Sequence, residues 1–141
     1  MRKLLTLPII TLLCTGCTIS SPFTTAENYL RNLSNKEFSS IYQYTTVFSQ
    51  DGNHQFLNES QQKQFLQEFN EWCGSIRVYE VIKALPFAEE DLTAYKVMEG
   101  NWLVYTIDCE NSPKQQLGLA ITKLNQEYVV VWTPEIRRPF W

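Results

Sequence analysis

A single histidine, His54, stands in this chain of 141 residues, and one imidazole cannot build a Ser-His-Asp relay or a His-rich metal site. The five glycines, Gly16, Gly52, Gly74, Gly100 and Gly118, are scattered singly, so no glycine-rich phosphate-cradling loop is present. Basic charge is sparse: 12 Lys plus Arg face 15 Asp plus Glu, without a dense cationic run. That balance argues against nucleic-acid binding, which needs clustered cations to neutralise phosphates, and against adhesion to anionic lipid by charge alone. The one basic pair near the end, Arg137-Arg138, is too short to change this. No apolar run is long enough to cross about 30 Å of hydrocarbon as a helix. Internal repeats and low-complexity tracts are also missing. What remains is ordinary globular material, 44% hydrophobic and 19% charged, with 13% aromatic residues.

The N-terminus reads as an export leader. Met1-Arg2-Lys3 is a short positive start, and Leu4 to Leu13 is an apolar stretch of signal-peptide length. Cys14-Thr15-Gly16-Cys17 follows directly. Small residues just before a cysteine, after such a stretch, resemble the lipobox of bacterial lipoproteins. That resemblance implies cleavage before Cys17 and a diacylglycerol thioether on its sulfur. Thr15 and Gly16 fit the pattern, whereas Cys14 stands where Leu is usual, with Leu13 one step further back. A plain secretory signal or an uncleaved anchor is the competing reading. Thr18 to Pro22 has the composition of a tether, and with Thr18 in place of Asp there is no sign of the Asp-type inner-membrane retention signal. The expected organisation is a signal peptide at 1–16, a tether at 17–23, one domain at 24–134 and a tail at 135–141. Arg2 and Lys3 leave with the leader, so 10 Lys plus Arg would face 15 Asp plus Glu, a formal −5. The expected place is the extracytoplasmic side of the envelope, held to the membrane by lipid on Cys17.

Export changes the meaning of the four cysteines. Cys14 goes with the leader and Cys17 is acylated, which leaves Cys73 and Cys109. An oxidising compartment favours a disulfide between them. Two buried thiols or a redox pair are the alternatives, although their spacing is not that of a thioredoxin-like motif.

Along the domain, helical signals come first. Thr24 and Glu27 stand at capping-box spacing before Tyr29, Leu30 and Leu33. Ser34 and Glu37 repeat the signal before Phe38, Ile41, Tyr42 and Thr45. Ser49 to His54 reads as a turn centred on Asp51-Gly52. Asn58 to Cys73 carries Phe65, Leu66, Phe69, Trp72 and Cys73 at helical spacing, the strongest amphipathic pattern in the chain. After Gly74 the period drops to two, with Ile76, Val78 and Glu80 on one side and Arg77, Tyr79 and Val81 on the other. Pro86 and Glu89-Glu90-Asp91 break that run. A β-rich stretch from Ala94 to Cys109 follows, interrupted at Glu99 to Asn101 by a turn or bulge. A hairpin, Gln115–Leu124 with Glu127–Thr133, closes around Asn125-Gln126. Helices before strands predict an α+β fold, N-terminal helices packed on a curved antiparallel sheet. A Cys73–Cys109 bond would then pin the third helix to a central strand.

Ala26 to Leu30, Lys36 to Phe38, Ile41-Tyr42 and the ending Tyr128 to Pro134 resemble the nuclear-transport-factor-like superfamily, cone-shaped α+β domains built from opening helices and a curved four-stranded meander. Small bacterial lipoproteins, and the domain that precedes the transpeptidase in some penicillin-binding proteins, share this pattern. The resemblance spans about residues 24 to 134. It implies a fold and leaves the activity open, because the superfamily includes isomerases, dehydratases, binding proteins and inert assembly modules. No catalytic motif of any member maps onto this chain.

The candidate pocket residues are Asp108, Tyr105 and Tyr42. Asp108 is a lone acid in the apolar strand Trp102 to Ile107; buried in a cone it would serve as a general base, and at a strand end it would simply face water. By alternation it shares a face with Trp102, Val104 and Thr106, while Cys109 shares one with Leu103, Tyr105 and Ile107. Tyr29, Tyr42, Tyr79, Tyr95 and Tyr105 would either line a pocket or fill the core. Two cations and two aromatics in Arg137 to Trp141 suit a partner contact or a tail packed on the domain. No cofactor is implied. The expectation is a lipid-anchored, non-catalytic interaction or small-ligand-binding module with an envelope protein partner and no nucleic acid. The rivals are a small cone-fold enzyme using Asp108 and a pocket Tyr, and an accessory subunit of a cell-wall or secretion assembly.

Overall fold

The computed structural model describes residues 21–48, 52–112 and 114–132. The leader, Cys17, the first part of the tether, Pro134 and the tail from 135 lie outside them. Helix α1 spans Pro22–Ser34. It begins two residues before the Thr24 signal, because Ser21 caps it by accepting the Thr24 amide at 3.1 Å and Pro22 sits in the first turn, where its missing N–H costs nothing. Pro22 and Phe23 are therefore helix, not tether. Ala26, Tyr29, Leu30 and Leu33 form its buried stripe; full burial of Leu30 alone contributes roughly 1.5–3 kcal/mol.

Ser34 does not start the second helix; it ends the first, and its hydroxyl donates to the Ile76 carbonyl at 3.3 Å. Helix α2, Phe38–Tyr42, is one turn that buries Ile41 and makes no side-chain cap. The helical stripe expected to reach Thr45 stops short, since Thr45 opens strand β1, Thr45–Phe48. Strand β2, His54–Phe56, pairs antiparallel with β1, so part of the segment read as a turn is a hairpin arm. Helix α3, Glu59–Trp72, matches its pattern closely. Asn58 and Gln61 form a reciprocal capping box, and Gly74 ends the helix with φ +71, a conformation suited to a residue without Cβ.

Strand β3 is Ile76–Pro86. A short helix α4, Glu89–Tyr95, occupies what the β-rich composition assigned in part to a strand. Three acidic residues in its first turn favour the positive end of the helix, and the Asp91 carboxylate accepts both the Ala88 amide at 3.1 Å and the Trp102 indole N–H at 3.0 Å. Strands β4, Gly100–Cys109, β5, Gln115–Leu124, and β6, Glu127–Val131, follow. The expected hairpin is present: Leu124 pairs with Glu127 across Asn125 and Gln126, whose φ values of 49° and 68° are those of a tight primed turn.

The curved sheet has six strands in the order β2-β1-β6-β5-β4-β3. Its β3 to β6 part is the expected four-stranded meander. The β1–β2 hairpin extends it, and the β1–β6 ladder is parallel, so the sheet is mixed rather than wholly antiparallel. One face carries α1, α2 and α3 over Leu103, Tyr105, Ile107, Leu119, Ile121 and Val130. The other carries a smaller cluster of Phe87, Tyr95, Trp102, Ala120 and Val131, with Leu92 and Val97 beside it. Gly100 has no side chain because the Phe87 ring fills the place of its Cβ. The Cys73–Cys109 disulfide joins the C-cap of α3 to the end of β4 at a Cα separation of 4.9 Å.

Candidate functional site

The three candidate pocket residues do not converge. Tyr105 is fully buried on the helix face of β4, whereas Asp108 sits half-buried on the opposite face. The ladder shows this: Asp108 lies across from Val78, and Ile107 across from Tyr79. Tyr42 is half-buried at the end of α2, and its hydroxyl donates to the Gln62 carbonyl at 3.2 Å. The alternation along β4 had already separated Asp108 from Tyr105; the structure adds that the helices lie on the Tyr105 side.

The residue that meets the Tyr105 hydroxyl is Glu27, whose carboxylate accepts a hydrogen bond from it at 3.1 Å. Glu27 looked like a capping residue for Thr24; with the cap moved to Ser21 its carboxylate is free to reach across to the sheet. No short-range signal announces a contact 78 residues apart. Around this pair the rings pack edge to face: Tyr79 against Tyr105 with centroids 6.3 Å apart, Tyr29 against Phe65 at 6.4 Å, and Tyr42 against Phe65 at 5.9 Å. Tyr29, Tyr42, Tyr79 and Tyr105 thus belong to the main core, while Tyr95 stands in the second cluster, stacked on Phe87.

Burial holds the Tyr29 hydroxyl well above the ordinary phenol range, helped by Tyr44 and Tyr42 nearby. Burial does the same for Tyr105, with the Glu27 charge and hydrogen bond adding to it. Both groups bind their protons more tightly folded than unfolded. The stability linked to them is therefore intact below pH ~10 and declines above it, as the unfolded chain ionises first. The unfolding free energy should fall above pH ~10 by up to about 1.4 kcal/mol per pH unit for each tyrosine still neutral in the fold. Tyr29→Phe and Tyr105→Phe should each flatten that slope, measured by urea titration across the alkaline range.

His54 opens β2 instead of lying in a surface loop. Its Nε2 donates to the Tyr95 carbonyl at 2.9 Å, and its ring packs on Phe48 with centroids 5.2 Å apart. It ties the β1–β2 hairpin to α4. Among the described residues, no three His, Cys, Asp or Glu side chains gather as a metal site. No described helix is long and apolar enough to cross a membrane. The outer face of α3 bears an open hollow lined by Lys63, Leu66, Gln67, Asn70 and Glu71, without a converging catalytic group.

No protein-family model matches the chain, and no curated protein sequence matches it. Among solved structures, it is similar to one described as an NTF2-like transpeptidase from Campylobacter jejuni, at 11% identity and a TM-score of 0.47, over 81% of this chain and 100% of that one.

Proposed function

We propose that this protein is a lipid-anchored module on the extracytoplasmic side of a bacterial envelope, which holds a protein partner or small ligand and catalyses no reaction. The observation that carries this reading is the dense aromatic and aliphatic packing of the described residues between helices and sheet. Between helices and sheet, where a cone-fold enzyme would keep its cavity, Leu30, Ile41, Phe65 and Tyr105 are each at most 4% exposed and pack on one another's neighbours. The enzyme reading gains no such support, because Asp108 and Tyr105 occupy opposite faces of the sheet. The Cys73–Cys109 disulfide accords with an oxidising compartment.

The test uses the native chain in a bacterial envelope. Cys17→Ser should abolish palmitate incorporation and move the protein from membrane to soluble fractions. Asp108→Asn should leave its cross-linked envelope partners unchanged. Retention of label and membrane association by Cys17→Ser refutes the anchor. A substrate turnover that Asp108→Asn eliminates refutes the non-catalytic reading.

A further inference from the structure

The two edges of the sheet are unequal. β2 is three residues long, whereas β3 runs for 11. On β3, Val78, Val81, Ile82 and Leu85 are 61%, 45%, 47% and 40% exposed, four of the seven large hydrophobic residues exposed among those described. A long edge strand with bare apolar side chains is a template for further strand pairing.

The β3–β4 register tells which side chains such a pairing would bring together. Val78, Glu80, Lys83 and Leu85 lie opposite Asp108, Thr106, Val104 and Trp102. Those partners are spaced by two along β4, so all four β3 residues share one face. That would be impossible in a regular strand, where Glu80 and Lys83 point to opposite sides. The bulge between Val81 and Lys83 inserts Ile82 and resets the alternation. An earlier bulge, between Ile76 and Val78, does the same there, so Ile76 and Val78 do not share the face their spacing predicts.

We propose that β3 pairs antiparallel with β3 of a second copy of this chain, about a two-fold axis between Val81 and Ile82. In that register Glu80 faces Lys83 of the second copy and Lys83 faces its Glu80. Val78 meets Leu85, Tyr79 meets Ala84, and Val81 meets Ile82, each pair occurring twice. From Val78 to Leu85 the charged pair meets its opposite and the other side chains meet apolar ones, while Arg77 lies across from Pro86 of the second copy. Among the described residues neither Glu80 nor Lys83 has a partner within its own chain. A register slipped by three residues, centred on Glu80, sets Glu80 against Glu80 and Arg77 against Lys83, which like-charge contact disfavours. The charge pattern therefore favours this self-pairing and opposes that slipped one. The inference is independent of the envelope reading.

Sedimentation of the full chain in density-matched detergent tests it. The wild-type chain should sediment as a dimer. Glu80→Lys alone and Lys83→Glu alone each place like charges opposite one another twice, and should raise the dimer dissociation constant about tenfold or more. The double variant Glu80→Lys with Lys83→Glu restores both pairs and should recover wild-type association. Both positions are exposed, so the circular dichroism spectrum at 25 °C should be unchanged in all variants. A monomeric wild-type chain, single variants that remain dimeric, or a double variant as weak as the singles overturns the proposal.

Discussion

Breaking the Cys73–Cys109 bond should cost about 3–4 kcal/mol of unfolding free energy. The bond closes a loop with a sequence separation of 36, and a loop of that length removes this much conformational entropy from the unfolded chain. The connected segment holds β3, α4 and β4, so the cross-link confines half of the meander whether or not the chain is folded. The measurement is a urea titration of oxidised protein, dithiothreitol-reduced protein and the double variant Cys73→Ala with Cys109→Ala. The reduced and doubly substituted forms should agree with each other and lose the same amount. A midpoint unchanged on reduction would mean that the burial of Cys73 and Cys109, 0% and 1% exposed, supplies the stability without the bond.

Phe65→Ala should be comparably damaging, at about 3–5 kcal/mol. Phe65 is 4% exposed, and its ring meets three others edge to face: Tyr29 of α1, Tyr42 of α2 and Trp132 just after β6, the last at 5.5 Å between centroids. Three separate parts of the chain thus converge on one side chain of α3. The remaining rings are anchored by backbone on different elements and cannot collapse inward together, so the truncation leaves a cavity. Phe65→Leu keeps most of the volume and should recover a large part of the loss, a comparison that thermal unfolding of the three proteins resolves.

Patterns repeated over many residues were readable in advance. Helix α3 has its cap, its apolar stripe and its terminating glycine within one contiguous window, so nothing distant decides it. The β5–β6 hairpin is likewise determined by its own alternation and its two-residue turn. Where adjacent signals compete, element boundaries fall a few residues from where either signal alone would put them. Ser21-Pro22 outcompeted Thr24 as the start of α1, and Ser34 was taken up by a bond to Ile76. Short elements were the hardest. β1 and β2 exist because they meet each other and β6, and α4 exists because Asp91 anchors it to Trp102. The alternation in β4 placed Asp108 apart from Tyr105 correctly. The Glu27–Tyr105 contact had no local trace, since it depends on where α1 lies across the sheet.

The parallel ladder between β1 and β6 has a temporal consequence. Thr45 and Thr46 dock beside Val130 and Val131, so the third place in the sheet, next to the first hairpin, is reserved for the last of the described strands in sequence order. Until that final strand arrives, β1 and β2 have no bridge to β5. A chain still lacking β6 would therefore hold two unconnected halves, and the long-range closure that unites them belongs to the slow class of folding steps.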